Sequence, residues 1–82
     1  METVKRKVLI IEDNAFSRKM LHDILADEYD LFEAGNGKAG LELLEQERDI
    51  ALIILDWGMP LMGGLEFLNI IQQKEEWKNI PI

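Results

Sequence analysis

The sequence predicts an α/β fold on a parallel sheet, and three observations predict it. Two runs, residues 8–11 and 50–55, are apolar without alternation, as in strands buried on both faces. Segments with helical spacing of apolar residues separate them. The resulting order, βαβαβα followed by a strand stub, is that of right-handed parallel βαβ units.

Val8-Leu9-Ile10-Ile11 forms the first strand and stops at Glu12-Asp13-Asn14, where Asp13 or Asn14 can cap a helix. That helix runs from Ala15 to Leu25. Phe16, Met20, Leu21, Ile24 and Leu25 make its apolar side, with Met20 as core filler, and Arg18, Lys19, His22 and Asp23 fill the other. Tyr29–Ala34 is more polar and suits an edge strand. Gly35-Asn36-Gly37 is a turn with Asn36 as the next N-cap. A second helix covers residues 39–48, with Ala39, Leu43 and Leu44 inward. Ile50–Leu55 is the strongest strand and ends on Asp56. The stretch from Trp57 to Gly64 holds glycines and a proline and reads as a loop. A third helix covers residues 65–73, with Leu65, Leu68 and Ile71 on one side. Trp77 packs under the final turn, and Ile80-Pro81-Ile82 opens another strand.

Composition narrows the function classes. The chain has 82 residues, 16 acidic and 9 basic, for a net charge of −7. That length holds one small domain of marginal stability. With no cysteine, disulfides and Cys-ligated metal centres are excluded. Acidic balance argues against nucleic-acid binding, and Lys5-Arg6-Lys7 is too small a basic cluster to reverse that. An apolar fraction of 48% is too high for a disordered tail. No apolar run approaches the length needed to span a bilayer. Glu12-Asp13 cuts short the only stretch that resembles a signal peptide. The expectation is a soluble, cytoplasmic domain.

Both apolar strands end in acids: Glu12 and Asp13 after the first, Asp56 after the third. Parallel strands bring these to one sheet edge, and open α/β sheets bind ligands at that edge where strand order reverses. If the first and third strands are neighbours there, three carboxylates converge; like charges held that close must be protonated or neutralised by a cation, and an oxygen donor set favours Mg²⁺. The plain alternative is that each acid merely caps the helix or loop after it. For Asp13 alone, capping explains the residue equally well; it explains all three together poorly.

These residues carry a family resemblance. Ile11-Glu12-Asp13-Asn14, together with the run from Asp56 through Trp57, Gly58, Met59, Pro60, Leu61 and Met62 to Gly63-Gly64, resembles the receiver domain of two-component response regulators, over residues 7–82. The resemblance implies the flavodoxin-like fold with strand order 2-1-3, truncated before strands 4 and 5: a single receiver-like domain, residues 1–82, incomplete at its C-terminus. It implies Asp56 as phosphoacceptor. It also implies Mg²⁺ held by Asp13, Asp56 and the Gly58 backbone carbonyl, with Glu12 completing the pocket through a water. The implied partner is a histidine kinase or phosphotransfer protein, and the only catalysis is of the chain's own phosphorylation, so it is not an enzyme. Pro60 stiffens the loop and Gly63-Gly64 lets it turn into the third helix. Gly63 departs from the Asp or Asn common in the family. The Ser or Thr after strand four and the Lys after strand five are not matched in this sequence, nor is the last helix. Without them, one side of residues 8–11 and the far edge of 50–55 are expected to lie uncovered. The expectation is self-association, or completion by another chain, through the strand 3 edge.

Other residues have plainer readings. His22 on a polar helix face is a solvated histidine rather than a phosphohistidine. Trp57 sits over the pocket mouth. Met59 and Met62 are loop packing. A lone G-x-G at residues 35–37, with no Walker lysine, is not a phosphate loop. Two rival functions stand beside the phosphoacceptor. One is a half-domain that assembles through its open sheet edge without phosphotransfer. The other is a hydrolase with an aspartyl-phosphate intermediate, disfavoured because Gly58 stands where a second acid is common.

Overall fold

The computed structural model describes residues 4–56 and 63–82. Six elements succeed one another: β1 (Arg6–Ile11), α1 (Ala15–Leu25), β2 (Tyr29–Ala34), α2 (Gly37–Gln46), β3 (Ile50–Leu55) and α3 (Gly64–Gln72). The strands form one parallel sheet in the order β2-β1-β3. The chain therefore has the expected α/β, flavodoxin-like arrangement of three βα units, with β1 central and the more polar β2 at an edge.

Three elements differ in their bounds from the sequence reading: β1, α2, and α3, which starts and ends one residue earlier than expected. β1 starts at Arg6 because Arg6 and Lys7 already pair with Tyr29 and Asp30. α2 starts two residues early, at Gly37, because the Asn36 Oδ1 accepts from the Ala39 N–H at 2.8 Å and sets the helix start there. It ends at Gln46, where Glu47 turns extended. Asp49, just before β3, takes a left-handed φ of 65°, which a short polar side chain tolerates. Register shifts once, between Lys7 and Val8, and passes over Ala51. Ile50 and Ile53 consequently both face the same core.

The main core lies between the sheet and α2 with α3. It contains Leu9, Ile11, Leu44, Ile53, Phe67, Ile71 and Trp77, so Trp77 packs as expected. α3 presents Gly64, Phe67 and Ile71 to this core, and Leu65, expected inward, is exposed. The period anchors on the largest side chain, Phe67, and rotates Leu65 outward. α2 approaches so closely at Gly40 that a Cβ there would lie 2.6 Å from Ile11 Cδ1.

Alternation sends Val8 and Ile10 to the opposite face, where α1 lies over β1 and β2. Val8 and Ile10 are fully buried, so the expectation that one side of residues 8–11 lies uncovered is not met. α1 itself has no buried residue. Phe16, Met20 and Ile24 are exposed, which corrects Met20 as core filler: only the Leu21 and Leu25 side of the helix turns toward the sheet. The outer edge of β3 is also not wholly bare, since the Ile53 N–H donates to the Pro81 carbonyl at 2.9 Å. Residues 80–82 make this hydrogen bond to β3 without becoming a strand, because Pro81 has no N–H to return. No helix among the described residues is long and apolar enough to cross a membrane.

Candidate functional site

Glu12 and Asp56 each sit one residue beyond a strand, and the sheet's main-chain bonding extends to hold them. The Glu12 N–H donates to the Ala34 carbonyl at 3.0 Å, and the Asp56 N–H donates to the Ile11 carbonyl at 3.0 Å. The two acids therefore inherit the rigidity and spacing of neighbouring parallel strands. Asp13 comes next, at the β1–α1 corner.

Capping of α1 does not account for Asp13. Asn14, rather than Asp13, caps α1: its Oδ1 accepts from the Ser17 N–H at 3.0 Å. The N-cap of α3 is Gly63, which makes no side-chain cap bond. Glu12 Oε1 accepts from the Asn14 N–H at 3.0 Å, which fastens the corner from inside.

Glu12, Asp13 and Asp56 meet at the sheet edge, with one carboxylate oxygen from each lying within 4.8 Å of the others. Partial burial pushes Glu12 above its ordinary carboxylate value. The Asn14 N–H opposes that shift, and the charge of Asp56 and the hydrogen bond and charge of Asp13 add to it. A cation placed among the three would remove that repulsion, and an oxygen-only donor set is the kind that hard Mg²⁺ takes. Of the four residues expected at the metal, the structure thus brings together Glu12, Asp13 and Asp56. Gly58 lies outside the described residues, as do Trp57, Met59, Pro60 and Met62. Gly63-Gly64 stand where the chain enters α3, as expected, but without a left-handed turn. No described glycine takes a positive φ, and Gly63 is extended; Gly64 starts α3 and is buried.

One arrangement escaped the sequence reading. His22 is half-exposed, as expected of a surface histidine, but its Nδ1 lies 2.9 Å from Glu33 Oε2. Arg18 Nε lies 3.6 Å from the other oxygen, Glu33 Oε1, and Arg18 NH1 donates to the Glu12 carbonyl at 2.7 Å. The available signal was a pair of basic residues four apart on one helix face with an acid on the next strand.

Comparisons with known proteins agree with the fold. The family model for the response regulator receiver domain matches residues 8–82. A chemotaxis protein CheY homolog of Campylobacter jejuni is 30% identical over 78 residues, which is 93% of this chain and 60% of that protein. The two-component response regulator ORR5 of Oryza sativa is 33% identical over 76 residues, 92% of this chain and 57% of that protein. The crystallised chemotaxis response regulator CheY4 of Vibrio cholerae superposes with a TM-score of 0.90 at 31% identity, covering 96% of this chain and 66% of that one. The chain thus spans about 60% of the length of the curated CheY relatives it matches.

Proposed function

We propose, from the premise that this chain belongs to the response regulator receiver domain family, that it accepts a phosphoryl group on Asp56 in a two-component phosphorelay. The observation that carries this reading is the meeting of Glu12, Asp13 and Asp56 at one sheet edge. Asp13 and Asp56 would hold Mg²⁺ through carboxylate oxygens and Gly58 through its backbone carbonyl, with Glu12 completing the acidic pocket. When bound, Mg²⁺ supplies positive charge against the oxygens of the phosphoryl group in transfer.

The chain's own residues do the rest. An Asp56 carboxylate oxygen forms the new O–P bond while the N–P bond of a partner's phosphohistidine breaks. The electron pair of that bond stays on the imidazole nitrogen, which takes up a proton. The main-chain bond from Asp56 to Ile11 fixes the nucleophile's backbone, and the bond from Glu12 to Ala34 fixes the facing acid. Positioning of this kind is most of what phosphoryl transfer asks of a protein. The partner is a histidine kinase or phosphotransfer protein in the cytoplasm, and the chain catalyses only its own modification.

Intact-mass measurement after treatment with a small phosphodonor and Mg²⁺ tests the reading. One phosphoryl group is expected on the wild type and none on Asp56→Asn. An unmodified wild type overturns it. Oligomerisation of wild type and Asp56→Asn to the same degree, without phosphoryl gain, favours assembly through the outer edge of β3, where Leu52 and Ile54 are only half-buried.

A further inference from the structure

Arg18 is the one described side chain that ties α1, the β1–α1 corner and β2 together. Its NH1 donates to the Glu12 carbonyl at 2.7 Å, a charge-assisted bond at the short end of the range. Its Nε faces Glu33 Oε1 at 3.6 Å. His22, one turn further along α1, engages Glu33 Oε2 at 2.9 Å, which turns the first oxygen toward Arg18. A Cβ on Gly35 would lie 3.7 Å from Arg18 NH1, so the guanidinium rests against the chain leaving β2.

The Glu12 carbonyl belongs to the peptide that leads into Asp13. That peptide plane sets where the Asp13 carboxylate points. The preceding peptide is already fixed by the Glu12 N–H bond to Ala34, and the next one by the Asn14 N–H bond to Glu12 Oε1. The Glu12–Asp13 peptide between them is held by Arg18. A partly exposed Arg–Glu pair at 3.6 Å contributes little stability alone, so the role of Glu33 is to aim the guanidinium rather than to hold the fold.

We propose that Arg18 is a positioning residue for the acidic site: aimed by Glu33 and His22, it fixes the Glu12–Asp13 peptide and thereby the approach of Asp13 to Asp56. The proposal rests on the reading of that site as a Mg²⁺ site. A planar fork is needed, because one end of the guanidinium serves the carbonyl while another faces Glu33. A lysine ammonium has the charge without that reach.

Mg²⁺ titration calorimetry on the wild type, Arg18→Met, Arg18→Lys and Glu33→Gln tests it, alongside melting in chelator and the amide resonance of Asp13. Arg18→Met is expected to weaken Mg²⁺ binding about tenfold, as loss of an outer-shell partner does. It should also shift the Asp13 amide resonance in the absence of metal. Arg18→Lys should fall between Arg18→Met and wild type, and Glu33→Gln should show a smaller loss with the same resonance displaced. If Arg18→Met melts too low to titrate, Arg18→Lys and Glu33→Gln decide the matter. A lowered melting temperature with Mg²⁺ affinity and the Asp13 resonance unchanged overturns the proposal and leaves the Mg²⁺ reading standing. A wild type that does not respond to Mg²⁺ overturns both.

Discussion

On one face of the sheet, Leu9, Ile11, Ile53, Phe67 and Ile71 are sealed from solvent between β1, β3, α2 and α3. On the other, α1 shelters Val8 and Ile10 but buries none of its own side chains, and Phe16 and Ile24 are 72% and 70% exposed. The same central strand feeds both faces, so the difference lies in the helices. α2 and α3 bring Gly40, Leu44 and Phe67 into interdigitation, whereas α1 rests on the sheet along a thin strip. The acidic site belongs to the second, thinner side. Asp13, Asn14 and Arg18 sit at the start of α1 and are ordered by directed hydrogen bonds rather than by packing. One face therefore carries stability, and the proposed site lies at the corner of the other, where few apolar contacts leave the local stability low.

The largest expected effect compares two phenylalanines. Phe67 is 0% exposed and Phe16 is 72% exposed. Phe67→Ala should cost about 3–5 kcal/mol in urea unfolding, enough to unfold much of a marginal domain. Phe16→Ala should change stability by no more than about 0.5 kcal/mol. Comparable costs at the two positions would break the contrast between faces.

A smaller effect probes how tightly the dense face is fitted. Gly40→Ala gains roughly 1 kcal/mol of helix propensity, but the added methyl meets Ile11 Cδ1 at 2.6 Å and Cγ1 at 3.0 Å, and overpacking of this kind costs about 1–3 kcal/mol. Ile11 is itself fully buried, with the Phe67 ring 3.4 Å from the same point, so it has little room to yield. The net expectation is a loss of about 1 kcal/mol in unfolding free energy, read from the urea midpoint. A neutral or stabilising Gly40→Ala would mean that α2 can rise off β1, and that the dense face is looser than its contacts imply.

The same contrast separates what the sequence made legible from what it did not. β2 and β3 were readable to the residue; the convergence of Glu12, Asp13 and Asp56 was readable once the resemblance set the first and third strands side by side, because a parallel sheet turns strand order directly into spatial adjacency. Helix orientation was less readable. Leu65 fits the apolar period of α3 as well as Phe67 does, and only the shape of the core decides between them. Met20, Phe16 and Ile24 make an apolar stripe on α1, yet what such a stripe touches is a tertiary matter that periodicity does not contain. The early start of α2 was implicit in Asn36, whose capping reach sets the first turn at Gly37. Arg18 was legible only as a charge on a helix surface. Its link to the Glu12 carbonyl depends on the height at which α1 crosses β2.

The smallest effect falls at the acidic corner. Glu12 has its pKa raised in the folded chain, mainly by partial burial and with the Asp56 and Asp13 carboxylates adding to it, while in the unfolded chain it keeps its ordinary value. The fold thus disfavours the ionised carboxylate. The penalty is present at pH values above the raised pKa and fades as the pH falls through it, disappearing below the ordinary carboxylate range. Glu12→Gln keeps an oxygen for the Asn14 N–H and removes the charge. In chelator at neutral pH it should be slightly more stable than wild type, by no more than about 0.5 kcal/mol, with the advantage vanishing on acidification. Melting curves of the two proteins across that pH range, without metal, measure it. A Glu12→Gln that is less stable at neutral pH would mean that the corner contributes to the fold as the dense face does. The expected gain would instead mark Glu12 as a residue the apo fold holds at a cost, with that cost concentrated where a cation can offset it.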